Sequence, residues 1–202
     1  MRLTLEPFHP DRHDPDLVAA LLYDADPLFN ALVFGPPEEG RAVLRQMLDE
    51  QSGYFQTPYL SCAVSDGQLA GVIVLIRARD MKTLDRQSSD LFRRTMGTLT
   101  VLKKMPLFLR MARLNAPPPS PDSLCVHMLC VHPDWRGRQV GSWLLSQAIL
   151  QSGGHPLYLY VGSTNRRAQT FYHRHGFRPV DERTLRLRDR IYGLQSLVRT
   201  GP

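Results

Sequence analysis

Cysteine is scarce in this chain. Cys62, Cys125 and Cys130 are the only three in 202 residues, too few and too unevenly spaced for a disulfide framework. Their odd number and the lack of a Cys-x-x-Cys pair read as reduced thiols in a cytoplasmic protein. No His, Cys, Asp and Glu grouping has metal-ligand spacing, so no metal is expected. Long apolar runs are missing too. None approaches the ~20 residues of a membrane-spanning helix, and the N-terminus has no signal-peptide stretch. The Gly-Lys-Ser/Thr ending of a P-loop and the Gly-x-Gly-x-x-Gly of a dinucleotide fold are both absent. No internal repeat is evident.

Acid is in deficit: 19 Asp and Glu face 25 Lys and Arg, for a formal charge of +6 and a pI near 9.5. Such a balance admits a nucleic-acid partner, an acidic membrane, or a site for a ligand bearing several phosphates. The arginines are spread along the chain instead of forming one block, which favours the last reading, with no nucleic acid expected. The length suits one domain, 1–202, with a real core.

What is present begins at Leu129-Cys130-Val131-His132-Pro133-Asp134-Trp135-Arg136-Gly137-Arg138-Gln139-Val140-Gly141-Ser142. An apolar strand ends in a His-Pro turn, passes through a basic Gly-bearing loop and opens into a helix. Free N–H groups and the helix dipole make such a helix start a place for a pyrophosphate. Gly137 and Gly141 are expected to supply close approach and special backbone angles, and Arg136 and Arg138 neutralising charge. Taken alone, the loop is either a phosphate site for an unspecified cofactor or a basic turn that starts a helix. A second block, Asn165-Arg166-Arg167-Ala168-Gln169-Thr170-Phe171-Tyr172-His173-Arg174-His175-Gly176-Phe177, reads as a short helix stopped by Gly176. Asn165 and Tyr172 are seven apart and are expected on one helix face, with Phe171 and Phe177 in the core. Between the blocks, Pro156 to Val161 is strand-forming. Leu124 to Phe177 therefore reads strand, helix, strand, helix, a crossover that joins parallel strands.

The first block resembles the acetyl-coenzyme A loop of the GNAT superfamily of N-acetyltransferases, Gln/Arg-x-x-Gly-x-Gly/Ala, with Arg136 first, Gly141 last, and Gln139 where the middle Gly is usual. The second resembles the GNAT Asn-x-x-Ala-x-x-Phe-Tyr-x-x-x-Gly-Phe segment at every defining position. The resemblance covers a little over a quarter of the chain closely. It implies a mixed α/β fold: a mostly antiparallel sheet with a central parallel pair and helices on both faces. It also implies acetyl-coenzyme A as co-substrate, held by Leu129, Cys130, Val131, Arg136 to Ser142, Asn165, Ala168, Phe171 and Tyr172, with Tyr172 as general acid to the leaving thiolate.

The flanks fit this outline. Arg2 to Phe8 alternates as a strand. Asp14-Pro15 starts a helix through Tyr23, and Gly35 to Glu39 opens another with Val43, Leu44, Met47 and Leu48 buried. Leu60 to Ser65 and Gln68 to Ile76 form a hairpin about Asp66-Gly67, and Arg178 to Leu187 with Ile191 to Arg199 a closing one. Asp80 to Asp122 is basic and amphipathic, two helices broken near Gly97 or Pro106. In a GNAT domain this is an insertion between the third and fourth strands. It reads as helices packed on the domain, a lid over the acceptor site, a homodimer surface, or an attachment to an acidic membrane.

Acetyl transfer to an amine needs a proton acceptor, an oxyanion donor and a proton for the thiolate. His127 is the candidate base, since an unperturbed imidazole titrates at about 6.5. The strand His127-Met-Leu-Cys-Val-His132 resembles that of arylalkylamine N-acetyltransferases, where a His at the matching place serves the acceptor amine. A core histidine is the plainer reading. A strand N–H near Leu129 or Cys130 would polarise the thioester. Two functions follow: direct N-acetylation of a small-molecule or peptide amine, or an idle coenzyme-A-binding domain with a regulatory or partner-binding role.

Overall fold

Strands and helices alternate along residues 2–187 and 190–201, the part of the computed structural model described here. In chain order they are β1 (Thr4–Pro7), α1 (Pro15–Ala25), α2 (Pro27–Phe34), α3 (Pro37–Asp49), β2 (Leu60–Ser65), β3 (Gln68–Arg77), α4 (Ala78–Met96) and α5 (Thr98–Ala112). Then follow β4 (Leu124–Val131), α6 (Val140–Ser152), β5 (Leu157–Gly162), α7 (Arg166–Arg174), β6 (Arg178–Leu187) and β7 (Arg190–Arg199). The local chemistry explains most boundaries. Asp14 accepts hydrogen bonds from the Asp16 and Leu17 amides and caps α1, with Pro15 in the first turn. Asp66 and Gly67 both have positive φ, 50° and 76°, as a tight hairpin turn requires.

The sheet order is β1-β2-β3-β4-β5-β7-β6. All pairs are antiparallel except β4–β5, which is parallel and joined only through Leu124↔Leu157 and Cys125↔Tyr158. Beyond Cys125 the two strands part. On the other edge of β4, Val74 faces Met128 and Leu75 faces Val126, so His127 sits unpaired in a β-bulge. One sheet face packs on α1, α3 and α4 through Leu22, Leu44, Met47, Val72, Val74, Leu84 and Leu91. The other packs on α6 through Ile73, Leu144, Leu145 and Leu159, with Phe177 beside them.

Two features, the length of β1 and the presence of α2, differ from the sequence reading, and the helix break decides between two positions it left open. β1 is shorter than Arg2 to Phe8. The helix pair breaks at Gly97, φ 80°, while Pro106 lies inside α5. α2 was not anticipated. Its N-cap, Asp26, accepts from the Phe29 amide and from the Tyr192 hydroxyl of β7. Its C-terminal carbonyls, Leu32 and Val33, accept from Lys104 Nζ of α5. Tyr192 and Lys104 are remote in sequence, but the start of α2 carries a local signal of the same kind as α1, the Asp26 cap followed by Pro27, which the sequence reading passed over. Among the described residues no single helix is long and apolar enough to cross a membrane.

Candidate functional site

β4 ends at Val131, whose carbonyl accepts from Arg136 Nε at 3.2 Å. That contact folds the loop back on the strand. The Asp134 amide donates to His132 Nδ1, making His132 a turn residue, and the Arg138 guanidinium lies 5.4 Å from the Trp135 ring centroid. Gly137 has φ 77°, as foreseen for it. Gly141 does not share that conformation, contrary to the sequence reading, because it lies inside the first turn of α6. A Cβ there would meet the Phe171 ring at 3.5 Å, an ordinary packing contact, so neither backbone angle nor space requires the glycine. The second left-handed residue is Gln139, φ 64° and ψ 10°, at the position where glycine is usual.

No side chain caps α6 and no acid occupies its first turn. The amides of Val140, Gly141 and Ser142 thus open outward with the dipole behind them, and Arg136 and Arg138 are exposed beside them. An uncapped, acid-free helix start of this kind can hold an anion of pyrophosphate scale.

The gap between β4 and β5 starts beside this loop. Leu129 and Val131 face the α6 side of the sheet and Cys130 the other. With β5 diverging, this stretch of β4 has no ladder partner on that edge, which leaves backbone groups for a ligand. α7 closes the far side. Asn165 caps it, its Oδ1 accepting from the Ala168 amide at 3.1 Å. It is exposed, whereas Tyr172 is half-buried, edge-on to Phe171 and Phe177 at 5.1 and 5.6 Å. Burial pushes the Tyr172 phenol above its ordinary value, and Cys125 and Cys130 add to the shift. Both thiols are themselves raised by burial, Cys125 to about 12 and Cys130 to about 11.

His127 meets surroundings that the sequence did not reveal. The Tyr54 ring packs on its imidazole, centroids 4.5 Å apart. The Tyr54 hydroxyl donates to Asp85 of α4. Burial lowers His127 to about 4, against a smaller upward pull from Asp85, so the imidazole is neutral at working pH. This departs from the unperturbed value assumed from sequence. Tyr158 and Tyr160 complete the group. Their alternation on one strand face was legible, whereas Tyr54 and Asp85 are brought together across 31 residues with no local signal.

The acetyltransferase (GNAT) domain family model matches residues 108–179, from the end of α5 to the start of β6. The match spans a little over a third of the chain. Over its whole length the chain shares its fold with solved acetyltransferase structures. An N-acetyltransferase from Staphylococcus aureus Mu50 is 12% identical with TM-score 0.67, covering 96% of this chain and 99% of its own. A protein described as histone acetyltransferase HPA2 and related acetyltransferase from Corynebacterium glutamicum is 20% identical, with TM-score 0.63 and coverage of 100% and 98%. A GNAT family acetyltransferase from Elizabethkingia anophelis, solved with acetyl-CoA bound, is 15% identical, with TM-score 0.56 and coverage of 98% and 97%. No curated protein matches by sequence. The GNAT fold accounts for the mixed sheet, its single parallel pair and the position of α7 across the gap.

Proposed function

We propose that this chain is a cytoplasmic GNAT N-acetyltransferase. In this reading it moves an acetyl group from acetyl-CoA directly to a primary amine of a small molecule or peptide, with 1–202 acting as one domain. The observation that carries the reading is the uncapped, acid-free start of α6 at the end of a strand whose β5-side edge is open. Those orphan donors and the flanking arginines fit a pyrophosphate, and the open edge fits an extended arm that bears amides. Arg136, Gly137, Arg138, Gln139, Val140, Gly141 and Ser142 would hold the former. Leu129, Cys130 and Val131, together with Asn165, Ala168 and Phe171, would hold the latter. Bound there, acetyl-CoA supplies an activated thioester.

The residues then divide the work. A β4 amide near Leu129 or Cys130 polarises the carbonyl. Tyr172 keeps its phenolic proton at working pH and offers it from Oη to the departing thiolate. The burial that raises Tyr172 also raises the basicity of a thiolate in the same place, so the transfer is not disfavoured by desolvation alone. Cys125 and Cys130 stay protonated and are poor nucleophiles. His127, held neutral, accepts a hydrogen bond from the amine, whose proton leaves to solvent as the C–N bond forms. Its low proton affinity is the one observation that favours a second reading, an idle coenzyme-A-binding domain.

Thiol release from acetyl-CoA against an amine panel separates the two, because both bind cofactor and only the enzyme turns over. Tyr172→Phe is expected to lower kcat by ~10²–10⁴-fold, with coenzyme A affinity within about threefold, ~0.7 kcal/mol. An unchanged kcat removes Tyr172 from the chemistry.

A further inference from the structure

Asp85 stands in the second turn of α4, in the helical pair that separates β3 from β4. Its carboxylate accepts from the Tyr54 hydroxyl. It has no Lys or Arg partner among the described residues, although its neighbours on α4 do: Asp90 pairs with Arg93, and Arg94 with Glu50. Through that hydrogen bond the carboxylate stands behind the ring that packs on His127, and its charge raises the Tyr54 and Tyr158 phenols and opposes the lowering of His127. An unpaired carboxylate in a chain of charge +6 is thus set at the β4 bulge, one tyrosine side chain away from the imidazole.

The rest of the lining suits a cation. Tyr54, Tyr160 and Tyr172 are half-buried, the Tyr54 ring packs on His127, and Tyr158 and Tyr160 stand edge to face, centroids 5.9 Å apart, on β5. Aromatic faces and a carboxylate together favour ammonium groups over neutral or anionic ones. The Tyr160 hydroxyl donates to the Ala116 carbonyl, which fixes that ring and ties the segment after α5 to the same place.

We propose that Asp85 is a specificity residue for acceptors with a second cationic centre beside the reacting amine, the diamine and polyamine class. One nitrogen docks as ammonium on the Asp85 carboxylate against Tyr54, and the other reaches His127. The assignment rests on the acetyl-transfer reading above. It differs from the arylalkylamine expectation, whose substrates carry one amine. α4 is then a wall of the acceptor site and not only a cover for the core.

The test compares wild type with Asp85→Asn, which keeps an oxygen for the Tyr54 hydroxyl and removes the charge. Because Asp85 is exposed, the variant is expected to fold, and its thermal midpoint checks this. Full-length protein, with and without coenzyme A, is titrated calorimetrically with 1,4-diaminobutane, spermidine and 1-butylamine. Wild type is expected to prefer the diamine and spermidine to butylamine by tenfold or more. Asp85→Asn should lose that preference and keep coenzyme A affinity within threefold. In turnover, KM for the diamine should rise tenfold or more while kcat stays within threefold. Equal binding of mono- and diamines by wild type, no amine binding in either form, or a preference that survives Asp85→Asn overturns the proposal. Failure to bind coenzyme A overturns the acetyl-transfer reading instead, and the amine titration without cofactor still reads the Asp85 site.

Discussion

Gln139 is the residue at which the loop departs most from an unstrained backbone. The left-handed region costs an L-residue roughly 1–2 kcal/mol, and glycine in its place gives back about 0.5–1 kcal/mol in chain entropy. With φ 64°, Gln139→Gly is therefore expected to leave stability unchanged or raise it by up to about 1 kcal/mol. Coenzyme A affinity should stay within about threefold. Urea unfolding and a binding isotherm check both, and a marked loss of affinity would mean that the glutamine side chain itself holds the ligand. His127 carries a pH signature. Its native value is about 4, below the ordinary 6.5, so from pH 6.5 down to 4 the unfolded chain binds a proton that the native one refuses. Stability is full above pH 6.5 and falls through that window. The loss between pH 7 and pH 5 is expected to be about 1–2 kcal/mol, discounted for partial exposure, and to be absent in His127→Asn. Equal losses in the two proteins would place the imidazole in contact with water.

Among the elements, α4 and α5 belong to one helical pair and behave differently. Leu84 and Leu91 of α4 are 2% and 1% exposed, whereas Leu99, Leu102 and Leu109 of α5 are 67%, 60% and 62% exposed. α4 is therefore part of the core, and α5 is held chiefly by its inner edge and by Lys104. Leu91→Ala is expected to cost about 2–5 kcal/mol and Leu102→Ala no more than about 0.5 kcal/mol, read by denaturant midpoints. Similar costs would mean that α5 buries its outer face. Sequence periodicity identified both helices but not this division, because an amphipathic stripe does not say whether a partner surface lies against it.

At the scale of the whole molecule, the central sheet separates two cores. The α6 loop and α7 belong to one side, and α1, α3 and α4 to the other. Coenzyme A is thus expected to slow amide exchange in residues 129–145 and 160–175 while leaving α1 and α3 nearly unchanged. Exchange mass spectrometry that finds its main protection in α1 to α3 would place the cofactor elsewhere. In the proposed reading the acceptor side is built by His127 from the bulge, Tyr54 from the segment before β2, and Asp85 from α4.

Neighbours along the chain were sufficient for the β4–loop–α6 unit, for α7 with its Asn165 cap and Gly176 stop, and for the hairpin at Asp66-Gly67. Each is a local contest between backbone donors, turn conformations and short-range apolar spacing. Distance along the chain hid the rest. Helix α2 has a local Asp26-Pro27 start, but its ties to Tyr192 and Lys104 are long-range, and the bulge at His127 arises through its register with β3. Asp85 comes to His127 only when α4 is laid against the sheet. The low proton affinity of His127 has the same origin, since desolvation is a property of what surrounds a group after folding and not of the residues beside it in sequence.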